Sequence, residues 1–351
     1  MITKGYALKQ ADGPLEPYSF ERHDPGPDDV LVELLYCGIC HTDLVVGHNE
    51  MGQSNYPLVP GHEMVGRVAA MGDRVQGFSE GEWVAIGCIV DSCRACSPCG
   101  EGDEQHCVEG FAMSFASKDR QGRPTFGGYS THYTIDHRYL LKLPEGLDPA
   151  SAAPLLCAGI TVYTPLKRHG AGKDKKVGIL GLGGLGHIAV KMASAMGAHT
   201  VMLTSSPDKA EDAAKLGADE AVITSDSDAL AAHAGSFDFI INTVSGVHDI
   251  NTYIPLLKTK GCMALVGAPT QPLPVMMPLL LMADRSLSGS LIGGVADTQE
   301  MLEFCAEHKI GADIEMISIE DVNEAWERIE RNDVKYRFVI DLASLHGSEA
   351  A

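Results

Sequence analysis

The stretch KVGILGLGGLGHIAVKMASAMG, from Lys176 to Gly197, decides the fold. It reads as a strand, a tight glycine turn and a helix. Gly181, Gly183 and Gly186 form a G-x-G-x-x-G fingerprint, with Gly184 and Leu185 inside it. In such a turn the first glycine allows the chain to reverse and the second lets the backbone approach a pyrophosphate. The third lets helix and strand pack closely. The free N–H groups and dipole at the helix start then hold the phosphates. The fingerprint alone is a weak signal. Here the strand candidates HTVMLT, EAVIT, FDFIINTV, CMALVG and SLSGSL follow it in turn. That alternation predicts an α/β fold built on a Rossmann doubly wound parallel sheet.

The end of the second strand selects the cofactor. A site for NAD usually places Asp or Glu there to bond the ribose hydroxyls. This chain has Thr204, Ser205 and Ser206, with Lys209 one helical turn later. Hydroxyls and a cation suit a 2′-phosphate, so the residues favour NADP over NAD. The plainer reading of SSPDK is a helix start, with Ser206 as cap and Pro207 at the first helical position. Both readings can hold together.

Upstream the pattern is different. Short β-branched runs, VLVELLYCG, MVGRVAAMG and EWVAIG, are punctuated by Gly, Pro and Asp, which predicts a barrel-like β domain. Its loops carry metal-ligand residues. GICHTD (Gly38 to Asp43) and PGHE (Pro60 to Glu63) supply Cys40 and His62. A catalytic zinc needs three protein ligands and one open position. Cys157, in the Gly-flanked motif PLLCAG, is the candidate third ligand. A lone cysteine in an apolar segment is more often core, and Cys157 gains weight because two ligands upstream lack a third.

The segment SCRACSPCGEGDEQHC holds Cys93, Cys96, Cys99 and Cys107 in the spacing C-x₂-C-x₂-C-x₇-C. Four thiolates on one polar loop close a tetrahedral shell, so this site reads as structural zinc. The spacing also resembles a ferredoxin run, which keeps an iron–sulfur cluster as the rival. Cys37, Cys88, Cys262 and Cys305 sit in apolar surroundings and read as buried small hydrophobes.

At 351 residues the chain suits two domains. Around Asp148 to Pro165 small apolar residues form a helical connection into the second. After Gly289 two amphipathic helices and a final strand are expected, returning to the first domain. With 47 acidic against 27 basic residues the net charge is −20. That argues against nucleic acid and anionic membranes as partners. No apolar run reaches the roughly 20 residues that span a bilayer, and MITKGYALKQ lacks the apolar core of a signal peptide. A cytoplasmic protein is expected.

Taken together, GICHTD, NYPLVPGHE, the four-cysteine loop, PLLCAGITVY, GLGGLGH and YRFVID resemble the zinc-dependent medium-chain alcohol dehydrogenases, in particular their cinnamyl alcohol dehydrogenase branch. For that family Cys₂His with an open fourth position is the established catalytic zinc set, inherited here by resemblance. The resemblance covers essentially the whole chain. It implies a GroES-like β-barrel catalytic domain (1–153 and 292–351) split around a Rossmann NADP-binding domain (154–291). A cleft between the two domains, a homodimer and two zinc ions per chain are implied with it.

By the same resemblance Cys40, His62 and Cys157 hold the catalytic zinc. Glu63 is the carboxylate beside it, Asp43 orients the histidine, and Thr42 passes a proton to the cofactor ribose. Ser205, Ser206 and Lys209 contact the 2′-phosphate, and Thr161 joins Thr204 and the glycine loop at the cofactor. Met51, Gln53, Cys88, Phe111, Ala112, Leu291 and Ile292 line the substrate pocket. Their mostly apolar character suits aromatic or medium aliphatic aldehydes.

There are departures from the pattern. The family's relay histidine, five residues after the first zinc cysteine, is Val45 here. His48 lies three residues on and could substitute, or could be an ordinary loop histidine. The pocket tryptophan of the plant members falls on Ala112. The implied reaction is reversible reduction of an aldehyde to a primary alcohol with NADPH. Loss of the relay residue keeps a second reading open, reduction of a conjugated C=C or iminium bond. A non-catalytic NADPH-binding protein is the remote third, and an intact open zinc site argues against it.

Overall fold

The computed structural model describes residues 1–269 and 271–346. It divides into two units, Met1–Cys157 with Gly293–Ala351, and Ala158–Ile292.

The first unit is built on a seven-stranded sheet. Its strands run in the order Leu141–Lys142, Trp83–Ile86, Met64–Met71, Asp29–Gly38, Arg337–Asp341, Ile314–Ser318, and His132–Asp136 also pairs with Asp29–Gly38. Asp29–Gly38 is its centre. Val30, Val32 and Leu34 alternate along it and are fully buried, as a strand with one face on the core requires. The adjoining strand, Arg337–Asp341, comes from the far end of the chain and pairs antiparallel through Val339 with Gly38 and Ile340 with Cys37. The C-terminal segment therefore completes the first unit.

One strand there goes beyond the sequence reading. Ile314–Ser318 pairs in parallel with Arg337–Asp341 at the sheet edge. Its residues are half-buried or exposed without a clean alternation, so the period that announces a strand is missing. The boundary between the units also differs. It falls after Cys157 rather than after residue 153, because the buried 3₁₀ turn Ala153–Leu156 packs against the strands Asp29–Gly38, Met64–Met71 and Trp83–Ile86.

The second unit is a six-stranded parallel sheet. Its order is Glu220–Ile223, His199–Thr204, Lys176–Leu180, Phe237–Asn242, Leu257–Leu265, Ser286–Gly289. In sequence terms this is 3-2-1-4-5-6, the Rossmann order. The central strands are continuous apolar runs, as burial on both faces demands, and Val201, Leu203, Ile240 and Met263 sit in one core. Among the described residues no helix is long and apolar enough to cross a membrane.

Candidate functional site

Cys40 follows the strand Asp29–Gly38 and stands at the N-cap of the helix His41–Gly47. Asp43, three residues into that turn, organises its surroundings. Its Oδ2 accepts the Cys40 N–H at 2.9 Å, and its Oδ1 accepts the Gly61 N–H at 3.0 Å. The same Oδ1 lies 3.0 Å from His62 Nδ1. A carboxylate acceptor there assigns the proton to Nδ1. The imidazole is further fixed by stacking on Phe115, with ring centroids 5.4 Å apart and planes 10° from parallel.

That leaves His62 Nε2 as a buried nitrogen without a hydrogen-bond partner. The ligand atoms of Cys40, His62, Glu63 and Cys157 lie within 4.8 Å of one another, and the two sulfurs are 3.9 Å apart. A hydrogen bond between these thiols pulls Cys40 well below the ordinary thiol range and pushes Cys157 well above it. A buried imidazole lone pair facing two sulfurs fits a borderline-soft cation such as zinc.

Glu63 is held differently. Both its oxygens contact Arg337 Nη2, at 2.6 and 2.7 Å, and that nitrogen also donates to the Ile39 carbonyl. Burial raises the Glu63 carboxyl to about 8 against the opposing Arg337 charge. Burial likewise works against the Arg337 charge, but Glu63 and the sulfurs of Cys40 and Cys157 hold it above its ordinary range. Gly38 makes room for the pair, since a Cβ there would lie 2.0 Å from Glu63 Oε2. With Glu63 held by Arg337, Cys40, His62 and Cys157 remain as three grouped metal-ligand donors.

The second cluster matches a closed shell. The sulfurs of Cys93, Cys96, Cys99 and Cys107 lie within 4.8 Å of one another. Backbone N–H groups of Cys93 and Cys96 donate to the sulfurs of Cys107 and Cys93, at 3.4 and 3.3 Å. Such donors stabilise thiolates that are to share a cation. All ten cysteines are free of disulfides.

In the second unit the three glycines occupy distinct environments. Gly181 has φ +94°, a backbone region that side chains disfavour. A Cβ on Gly186 would come within 1.9 Å of the Gly181 carbonyl oxygen, which is the close packing expected of the third glycine. A Cβ on Gly183 would meet nothing within 4 Å. That open space above the turn, at the start of the helix Gly186–Ala195, fits a dinucleotide pyrophosphate. Gly184 and Leu185 complete the turn, with Leu185 at the helix cap. Thr204 is buried, Ser205 and Lys209 are exposed, and Ser206 is half-buried. Ser206 stands at the N-cap of the helix Pro207–Lys215 but makes no side-chain cap bond, so its hydroxyl is not spent on the helix. Thr161 is buried in the helix Ala158–Arg168.

The remaining candidates are more dispersed. Thr42 is half-buried, with Oγ1 3.7 Å from the Cys40 sulfur. Cys88 is buried and its thiol points to the Leu156 carbonyl at 3.8 Å. Ala112 is buried and Phe111 half-buried, whereas Met51 and Gln53 are exposed. Leu291 is exposed and Ile292 buried at the end of the second unit. His48 is committed elsewhere. Its Nδ1 is 2.9 Å from Asp12 and its Nε2 3.3 Å from Glu330, so it makes a surface bridge.

Several partners are not among the sequence candidates. Phe115 supports His62, and Arg337 holds Glu63. Tyr129 donates to Asp43 Oδ2 at 3.4 Å, and Trp326 Nε1 donates to the Tyr129 hydroxyl at 3.3 Å. Only Arg337 carried a sequence signal, through its place in the YRFVID motif.

These arrangements define a metal-assisted, dinucleotide-dependent dehydrogenase. Comparison with known proteins narrows the class. Residues 26–145 match the alcohol dehydrogenase GroES-like domain, and residues 184–307 match the zinc-binding dehydrogenase family. Aldehyde reductase YahK of Escherichia coli (strain K12) is 49% identical over 348 residues, covering 98% of this chain and 99% of that protein. A cinnamyl alcohol dehydrogenase structure from Sorghum bicolor superposes with a TM-score of 0.95 at 42% identity, covering 100% of this chain and 99% of that one. One from Helicobacter pylori, complexed with NADP(H), gives 0.91 at 37%, covering 97% and 98%. The chain belongs to the zinc-binding alcohol dehydrogenase family, oxidoreductases that interconvert alcohols and aldehydes.

Proposed function

We propose that this chain is an NADPH-dependent aldehyde reductase that forms primary alcohols reversibly from aromatic or medium aliphatic aldehydes. Zinc and NADP(H) are its cofactors, with one zinc at Cys40, His62 and Cys157 and a second at Cys93, Cys96, Cys99 and Cys107. The observation that carries the reading is the buried, unpartnered Nε2 of His62 beside two sulfurs. The NADP preference is supported by Ser205, Ser206 and Lys209 at the second strand end, and by the relative complexed with NADP(H).

When bound, zinc polarises a carbonyl as a Lewis acid and NADPH supplies the hydride. The chain does the rest. Asp43 keeps the proton on His62 Nδ1, which leaves the Nε2 lone pair free. Arg337 opposes the effect of burial on Glu63 and restrains its carboxyl group by contacts to both oxygens. Thr42 Oγ1 takes and returns the proton that the alcohol gains or loses. General acid–base help of this kind contributes about 10²–10⁴-fold. The turn at Gly183 holds the pyrophosphate, and Ser205, Ser206 and Lys209 bind the 2′-phosphate. In the first unit, Cys88, Phe111, Ala112, Met51 and Gln53 supply substrate-facing surface. A homodimer working in the cytoplasm completes the proposal, tested by sedimentation and cell fractionation.

The functional test is incubation with cinnamaldehyde and NADPH, with NADH in parallel, and chromatography of the product. Cinnamyl alcohol formed faster with NADPH is the expected result. Val45 favours one second reading, in which hydride goes to a conjugated double bond. The saturated aldehyde as main product would establish that reading and sink the first.

A further inference from the structure

Of the four cysteines outside the two clusters, three have inert surroundings or belong to the site above. Burial pushes the Cys37 thiol well above its ordinary range and the Cys305 thiol up to about 12. Cys88 lies against Cys157. Cys262 is buried as expected but has polar side chains beside its sulfur. It sits in the strand Leu257–Leu265, paired laterally with Phe239 on one side and Ser286 on the other. Side chains of laterally paired residues share a face of the sheet. His169, just past the helix Ala158–Arg168, lays its ring on Phe239 with centroids 4.5 Å apart and planes 18° from parallel. The stack sets His169 Nε2 3.9 Å from Cys262 Sγ and 3.4 Å from Ser288 Oγ. Ser288 Oγ in turn lies 3.5 Å from the sulfur. Thiol, imidazole and hydroxyl thus form a closed triangle.

We propose that Cys262 is a redox-modification site, a thiolate paired with His169 and Ser288 that small peroxides oxidise to a sulfenic acid. Burial alone would raise this thiol, yet the bonds from His169, Ser286 and Ser288 outweigh it and bring it down to about 7. The thiolate is the nucleophile in such chemistry. The sulfur attacks one peroxide oxygen, an S–O bond forms and the O–O bond breaks. Sulfur loses two electrons, the peroxide is reduced, and the departing hydroxide takes a proton from solvent and leaves as water. The residue is 8% exposed, so the proposal names a small oxidant, hydrogen peroxide.

The test treats the zinc-loaded, NADPH-free protein with hydrogen peroxide at neutral pH. The protein is then denatured, alkylated and mapped by peptide mass spectrometry. Cys305 is the internal control, since it shares the burial and lacks the triangle. The expected result is loss of free thiol at Cys262 about tenfold or more faster than at Cys305, the ratio set by thiolate fraction. His169→Asn should bring the Cys262 rate down toward that of Cys305 while the melting temperature stays close to the parent's. Equal rates at Cys262 and Cys305 in the native protein would overturn the proposal. So would an unchanged Cys262 rate in a folded His169→Asn variant. The readout is independent of turnover, so it stands apart from the aldehyde reductase reading.

Discussion

Arg337 and Glu63 form a fully buried ion pair, 2.6 Å between Nη2 and Oε1, joining the last strand of the first unit to the segment that carries His62. Taking both charges out of water is costly, and removing one partner leaves the other uncompensated. Arg337→Met should therefore destabilise the protein by about 3–5 kcal/mol, read by urea unfolding. Adding Glu63→Gln to that variant should recover part of the loss. An Arg337→Met variant as stable as the parent would mean Glu63 is protonated in the fold and the pair carries little.

Asp43 receives three donors besides the Tyr129 hydroxyl, so it fixes the His62 ring through a rigid carboxylate. Asp43→Asn substitutes an amide that can present N–H toward Nδ1 and favour the wrong tautomer. Loss of such an orienting group weakens metal affinity by on the order of 10–100-fold. Competition with a zinc chelator should show one of two zinc ions released early from Asp43→Asn. Tyr129→Phe removes a longer, 3.4 Å bond and should move the same zinc less. Simultaneous loss of both ions would point to global loosening instead.

The glycine loop offers a contrast between two alanine substitutions. At Gly186 the new methyl would meet the Gly181 carbonyl oxygen at 1.9 Å, so Gly186→Ala should lower the melting temperature, by about 1–3 kcal/mol of overpacking or more. At Gly183 the methyl meets open space within the protein. Gly183→Ala should keep the melting temperature and weaken NADPH binding by on the order of tenfold, about 1.4 kcal/mol. Fluorescence titration with NADPH separates the two. Unchanged NADPH affinity in Gly183→Ala would remove the pyrophosphate from this turn.

What the sequence reveals and what it withholds follow the reach of the interactions. The glycine turn and the four-cysteine loop are legible because their chemistry is local and set by spacing. Cys40, His62 and Cys157 are legible as candidates through their motifs, and folding brings them together. Arg337 and Glu63, by contrast, are 274 residues apart in sequence. No periodicity announces their pairing, which depends on the last strand docking beside Asp29–Gly38. The Trp326–Tyr129–Asp43 chain is hidden for the same reason. Cys262 reads as apolar from its neighbours in sequence, but lateral strand pairing gives it Ser286 and Ser288, and a helix end gives it His169. The Ile314–Ser318 strand is missed because an edge strand with no clean alternation has no period to read.

Val45 and Thr42 stand three residues apart on the helix His41–Gly47, a spacing that places side chains on one face. Thr42 Oγ1 is 3.7 Å from the Cys40 sulfur, so this face borders the proposed zinc site. A valine there can carry no proton, and His48, the nearest alternative, is bridged to Asp12 and Glu330. In the proposed relay, proton exchange with solvent then falls to water. Val45→His would restore a titratable group beside the hydroxyl, and Val45 is half-buried, so the ring can reach solvent. If the missing relay limits turnover, Val45→His should raise kcat for cinnamaldehyde reduction near neutral pH, toward the 10²–10⁴-fold range of general acid–base catalysis at most. The NADPH dissociation constant should stay the same. His48→Gln in the parent should leave kcat unchanged, since His48 serves the surface bridge. An unchanged kcat in Val45→His, with a lowered one in His48→Gln, would return the relay to His48 and require the loop to rearrange during turnover.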